Sequence, residues 1–265
     1  MPDTKVFPLP SASVRSGIPA VDRYLDTGYD TVPGMSSRFA AAICAGLMRI
    51  QGEMGVAGPV AEFGTFEGRF FIALCHALGA SETALGIDRF DWPNPQVQDR
   101  FEANCLRHGV APGQRITWKA DTHTMRPEEL MAKLGGVAPR FMHVDSEHSR
   151  AGLAKELELA TAVLAPAGVM VLDDMLHPGY PLLVVAVHDY LERHSDMRVL
   201  CIIDRETVTP HVWHVRRCIH REPPFMHSEH SRFAGCFTSL IREMSSQVAI
   251  VTPVPKDNRR AKRTG

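Results

Sequence analysis

Gly58-Pro59-Val60-Ala61-Glu62-Phe63-Gly64-Thr65-Phe66-Glu67-Gly68 is the stretch on which the fold turns. Pro59–Phe63 reads as a short buried strand, and it carries an acid near its end. Two glycines four apart then bracket a tight turn, and an apolar helical pattern runs to about Leu78, with Gly79 as its stop. Glycine lets backbone approach a ligand closely and adopt positive φ. The start of the following helix offers unpaired N–H groups. About 20 residues further on, Leu85-Gly86-Ile87-Asp88 is a second strand that ends in an acid, the placement that suits a ribose diol.

The same alternation continues outward. Gln96–His108 reads as a helix, Arg115–Ala120 as a strand, Pro127–Leu134 as a short helix and Arg140–Asp145 as a strand. A helix then carries Leu153, Leu157, Ala160 and Leu164 on one face. Gly168–Asp173 follows as a strand and Leu182–His194 as a helix. Arg198–Asp204 and His211–Arg216 read as two last strands, linked too closely for a crossover helix and so antiparallel. The expectation is a doubly wound α/β sheet of seven strands with an antiparallel last strand. Before it, Phe39, Ile43, Leu47 and Ile50 keep helical spacing, with Ser36 or Ser37 as N-cap.

The organisation expected is an N-terminal arm or cap over residues 1–36 and a main domain over 37–216. An extension over 217–255 is expected to cover the substrate, and a basic, solvated tail occupies 256–265. Lys+Arg 29 against Asp+Glu 30, with 45% apolar residues, excludes a disordered chain and a global nucleic-acid footprint. No apolar run approaches the roughly 20 residues of a membrane span, and no signal peptide is evident. The six scattered cysteines include no Cys-x-x-Cys, as in a reduced cytoplasmic protein. The histidines and cysteines between His211 and Cys236 fit no regular zinc spacing.

Ligands of such sheets bind at the carboxyl ends of the strands, and acids gather there. Asp145 closes the fourth strand, and Asp173-Asp174 close the fifth. Three carboxylates in one crevice need compensation, which a divalent cation with oxygen ligands supplies. His148, three residues past Asp145, suits proton removal from a hydroxyl and equally suits capping the next helix. For the first crevice, Phe66 replaces the middle glycine that a dinucleotide pyrophosphate prefers. No Tyr-x-x-x-Lys pair is present either. S-adenosylmethionine is therefore favoured over NAD(P), and an NAD(P)-dependent oxidoreductase or a non-catalytic S-adenosylmethionine-binding protein is the alternative.

Together with Gly86-Ile87-Asp88-Arg89-Phe90-Asp91, Phe141-Met142-His143-Val144-Asp145-Ser146-Glu147-His148-Ser149 and Leu164–Asp174, the opening stretch resembles the class I S-adenosylmethionine-dependent methyltransferases. The likeness spans about residues 37–216. It is greatest to metal-dependent O-methyltransferases of the macrocin and mycinamicin sugar type, and to the wider methyltransferase family 24. The resemblance implies a Rossmann-like fold in which Glu62, Gly64, Thr65 and Gly68 surround the methionine part of the cofactor. By the same likeness Asp88 binds the ribose hydroxyls, with Arg89 and Asp145 also counted at the cofactor. Asp121 reaches the adenine amino group. Asp145, Asp173 and Asp174 hold Mg²⁺ or another divalent cation, with Asp145 and His148 catalytic and His148 the general base. The Asp-Gly-Asp-His usual after the fourth strand is here Asp145-Ser146-Glu147-His148, which removes no proposed ligand. The implied reaction is O-methylation of a small hydroxylated molecule such as a sugar, a natural product or a catechol-like diol. The implied assembly is a homodimer or higher homo-oligomer, with no membrane and no nucleic-acid partner.

Overall fold

The computed structural model describes residues 15–175, 177 and 179–200. It also describes the backbone of four strand segments, Phe7–Pro8, 201–204, Thr207–Pro210 and Val248–Pro253. The His-rich stretch 211–247 and the basic tail lie outside the described residues, as does the strand expected over His211–Arg216.

Strands β1 (Phe7–Pro8), β2 (Val60–Phe63), β3 (Ala84–Asp88), β4 (Arg115–Lys119) and β5 (Phe141–Val144) are joined in one sheet by β6 (Val169–Leu172), β7 (Met197–Asp204), β8 (Thr207–Pro210) and β9 (Val248–Pro253). The order is β1-β8-β7-β9-β6-β5-β2-β3-β4. Strands β4, β3, β2, β5 and β6 run parallel. Their connections are helices α3 (Arg69–His76), α4 (Val97–Arg107), α5 (Pro127–Lys133) and α6 (Arg150–Val163), while α7 (Leu182–Arg193) leads from β6 to β7. Strand β9 inserts antiparallel between β6 and β7.

This corrects the expected seven strands, since nine are described. The antiparallel partner of β7 at the near turn is Thr207–Pro210. A further antiparallel strand comes from Val248–Pro253, inside the stretch expected as an extension. Its Val248-Ala249-Ile250-Val251 run has the β-branched character of a buried strand. The boundary at 216 therefore does not end the sheet.

Alternation along the strands divides the apolar residues between two faces. Val60, Ala84, Phe141, Val169 and Val171 pack with α3, α4, α1 (Pro19–Thr27) and α2 (Arg38–Glu53). Ala61, Phe63, Leu85, Ile87, Met142, Val144, Met170 and Leu172 pack with α5, α6 and α7. The Ser37 side chain caps α2 by accepting from the Phe39 N–H at 3.2 Å. Helix α2 is buried nearly all round, as its Ala40-Ala41-Ala42-Ile43-Cys44-Ala45 run requires. The N-terminal arm is more than a cap, because Val21, Tyr24 and Leu25 of α1 are part of the core. Cys75 and Cys105 are buried thiols in no disulfide, and burial pushes Cys105 up to about 12. Among the described residues no helix is long and apolar enough to cross a membrane.

Candidate active site

Strand β2 has β3 on one side and β5 on the other, so the chain's direction of winding reverses there. A cavity of about 550 Å³ opens above the carboxyl ends of β2, β3, β4, β5 and β6 at that point. Gly64, Thr65, Asp88, Arg89, Asp121, Asp145, His148, Asp173 and Asp174 all line it. Glu62 and Gly68 do not.

Gly64 is where the turn cannot tolerate a side chain. Its φ is +83°, and a Cβ there would lie 2.0 Å from the Asp145 carbonyl oxygen. The turn after β2 and the loop after β5 touch backbone to backbone at this glycine, and the Asp145 N–H donates to the Phe63 carbonyl at 2.9 Å. Gly68 has φ +91° and begins α3. A Cβ there would meet Phe101 of α4 at 3.0 Å, so this glycine serves helix packing. Thr65 is 4% exposed, and among the described residues its Oγ1 has no partner although the residue lines the cavity.

Asp88 is held from both sides. Its Oδ2 accepts from the Phe66 N–H at 2.8 Å and its Oδ1 from the Phe90 N–H at 2.7 Å. Phe66 and Phe90 both have φ +48°, a left-handed conformation unusual for aromatic residues. The two N–H groups thus fix the carboxylate and leave its remaining lone pairs to the cavity. Further along this wall Trp92 is 63% exposed and rests against Phe66, ring centroids 5.5 Å apart. Asp121 closes a turn by accepting from the His123 N–H at 2.9 Å. Arg89 is ion-paired with Asp91 at 2.7 Å.

At the other end, Nε2 of His148 lies 2.9 Å from Oδ2 of Asp174 and 3.8 Å from Oδ1 of Asp145. The Asp174 hydrogen bond, working against partial burial, raises His148 above its ordinary value. Asp174 itself has φ +57°, and its N–H donates to Oδ1 of Asp173 at 2.8 Å. The Asp145 carboxyl is pushed well above the usual carboxylate range by burial and by the charge of Asp173. Three sets among the described residues have donor atoms all within 4.8 Å of one another; one, His188 with Asp189 and Glu192, lies on α7, and two are at this end of the cavity. These two are His143 with Asp145 and Asp173, and Asp145 with His148 and Asp174. Asp145 is common to both, while Asp173 and Asp174 enter different sets.

Two features escaped the sequence reading. His143, fully buried, bonds Glu62 (Nδ1 to Oε1, 2.7 Å) and faces Asp173 across 3.8 Å. It stacks on Phe70 with ring centroids 4.0 Å apart. Burial works against its charge, but the Asp173 and Glu62 carboxylates outweigh it and push His143 up to about 10. The register of β2 and β5, which sets Glu62 beside His143, was the available signal. Glu156 of α6 is the second. It accepts from Thr122 Oγ1 at 2.5 Å and from Ser146 Oγ, tying the loop after β4 to the loop after β5. Tyr180, in the segment His177-Pro178-Gly179-Tyr180-Pro181 expected to shape the pocket, sets its ring 4.5 Å from that of His148.

Residues 61–175 match the family model described as "Methyltransferase domain". No curated protein sequence matches the chain. Among solved structures, the chain is similar to the O-methyltransferase TomG from Streptomyces achromogenes, involved in tomaymycin synthesis and solved with S-adenosylmethionine. The identity is 15% over 92% of this chain and 93% of that one, with a TM-score of 0.53. An O-methyltransferase from Bacillus cereus in complex with S-adenosylhomocysteine gives 13%, 72%, 90% and 0.52 for the same quantities. Cofactor-bound Rv0187 from MTB gives 15%, 90%, 91% and 0.56. At these identities the structures speak for the fold, and the family model speaks for the segment that carries Gly64, Asp88, Asp121, Asp145 and Asp173. Over residues 61–175, less than half of its length, the chain is similar to that methyltransferase domain.

Proposed function

We propose that the chain transfers the methyl group of S-adenosylmethionine to a hydroxyl of a small molecule, with a divalent cation and His148 assisting. The observation that carries this is a single cavity whose one end is the glycine turn with Asp88 and whose other end is His148 among three carboxylates. TomG and the Bacillus cereus protein, which share the fold, are O-methyltransferases.

The residues present fit the cofactor. The orphaned Thr65 Oγ1 offers a buried polar contact beside Gly64. Asp88, pre-set by two backbone N–H groups, accepts the ribose hydroxyls, and Asp121 with Trp92 flanks the base. The bound cofactor supplies a methyl carbon already activated by its sulfonium. What the chain adds is alignment of an acceptor oxygen in line with that carbon.

The residues also fit a divalent cation. Asp145, raised by burial and its acidic neighbours, is a carboxylate in need of positive charge, and Asp173 and Asp174 stand beside it. These three would hold the cation, Mg²⁺ suiting an oxygen donor set, and the cation would lower the cost of charge on an acceptor oxygen. His148 takes the hydroxyl proton, contributing about 10²–10⁴-fold. Asp174 orients its ring through the 2.9 Å contact, and Tyr180 packs against its face. A vicinal diol or catechol-like acceptor suits this arrangement.

Calorimetric titration with S-adenosylhomocysteine, with and without Mg²⁺, tests the cofactor reading. Transfer of labelled methyl to a panel of vicinal diols tests the reaction. Binding of S-adenosylhomocysteine is expected, and its absence in both conditions overturns the proposal.

A further inference from the structure

We propose that Arg69 is the carboxylate-binding residue of the cavity and receives the α-carboxylate of the cofactor's amino-acid moiety. The inference rests on the reading of the cavity as an S-adenosylmethionine site.

Arg69 is the first residue of α3, directly after the glycine turn, and its side chain lines the cavity. Two contacts hold the guanidinium from behind. Its Nε donates to the Val32 carbonyl at 2.6 Å, and its central carbon lies 5.3 Å from the Tyr29 ring centroid. Tyr29 is in turn fixed by a 3.0 Å hydrogen bond with Ser36. Gly34 closes on the arginine stem so tightly that a Cβ there would lie 3.0 Å from the Arg69 Cβ. The side chain is therefore aimed before any ligand arrives.

Its two terminal nitrogens are unused. Among the described residues Arg69 makes no ion pair with a carboxylate, and its only hydrogen bond from the side chain is the one through Nε. The other arginine on the cavity wall, Arg89, is already paired with Asp91. An amino-acid group is zwitterionic. The acids of this wall satisfy its ammonium many times over, whereas its carboxylate needs a cation. A guanidinium fork with two free nitrogens matches a carboxylate in bidentate geometry. Arg69 also shares its wall with Gly64 and Thr65, the turn along which the amino-acid group lies in the proposed site. His148 and Tyr180, on the acceptor side, come from other loops.

The test compares calorimetric affinities for S-adenosylhomocysteine and its decarboxylated analogue. The natural chain is expected to bind the first about 10- to 100-fold more tightly, the range of a charge-assisted hydrogen-bonded pair. Arg69→Gln is expected to lose that factor for S-adenosylhomocysteine and to change less than about twofold for the analogue. Arg69→Lys, which keeps charge without the fork, is expected to fall between. Equal affinity of the natural chain for both ligands overturns the assignment without any variant. Retained S-adenosylhomocysteine affinity in Arg69→Gln also overturns it, and would send the guanidinium to an anionic group on the acceptor. If the natural chain binds neither ligand, the S-adenosylmethionine reading falls and the Arg69 assignment with it. Binding with no dependence on Arg69 removes the assignment alone.

Discussion

Gly64→Ala separates two contributions that a glycine can make to such a site. The first is conformational. At φ +83° an alanine is in the left-handed region, which costs about 1–2 kcal/mol. The second is steric and specific to this position. The new Cβ would stand 2.0 Å from the Asp145 carbonyl oxygen, 2.6 Å from its carbonyl carbon and 2.7 Å from the Ser146 Cα. All three are backbone atoms, so no side-chain rotation relieves the contact. The loop after β5 must retreat by about 1 Å, and it carries Asp145 and His148. Misplacement on that scale costs about 10²-fold in a reaction that depends on alignment. Gly55→Ala is the matched control. It has φ +76° in the turn after α2, and a Cβ there meets nothing within 4 Å. Both variants should lose the conformational increment in denaturant unfolding, and Gly64→Ala should lose more. Only Gly64→Ala should also lose about 10²-fold or more in methyl transfer, with weakened S-adenosylhomocysteine binding. If the two variants match in stability and in ligand affinity, the backbone contact between the two loops is not what requires the glycine.

Asp145→Asn should reduce methyl transfer by about 10²-fold or more and make the residual rate insensitive to EDTA; full activity in this variant would remove the cation from the reaction. His148→Ala should lower the rate by about 10²–10⁴-fold while S-adenosylhomocysteine binds as before, which calorimetry checks. Glu156→Ala should cost about 1–3 kcal/mol in urea unfolding, because Ser146 and Thr122 lose a buried acceptor. Arg140 is 2% exposed and grips Glu82 at 2.6 Å through both Nε and Nη2, so Arg140→Ala should cost about 3–5 kcal/mol. Burial opposes ionisation of Glu82, but Arg140 and the Gly79 and Gly58 N–H groups outweigh it and hold the carboxyl below its ordinary 4.5. The stability from this pair is thus present above pH 4.5 and drains as pH falls through the depressed value. Glu82→Gln should flatten that acid limb in unfolding curves measured against pH.

The parallel half of the sheet was legible because each strand is an apolar run stopped by glycine, proline or an acid. The bounds expected for β2, β3, β5 and β6 fall within about two residues of those observed. Strand β9 was not legible. A short apolar run separated from its neighbours by 37 residues beyond β8 carries no local mark of where it inserts, and its partners β6 and β7 are set by the whole sheet. The same distinction runs through the site. Asp88, Asp121, Asp145 and Asp173 were found because an acid at a strand end is a one-dimensional signal. Glu62 carried that signal too, yet it does not line the cavity and is 1% exposed. Its partner explains why. His143 stands opposite it in register, and the ring bridges toward Asp173 on the next strand. Only Oε1 of Glu62 is met by the ring, and Oε2 has no partner among the described residues. The hydrogen bond between Glu62 and His143 ties β2 to β5, and Nε2 of His143 comes within 3.8 Å of Asp173, just past β6. A positive charge locked under the acidic end of the cavity offsets part of the repulsion among Asp145, Asp173 and Asp174.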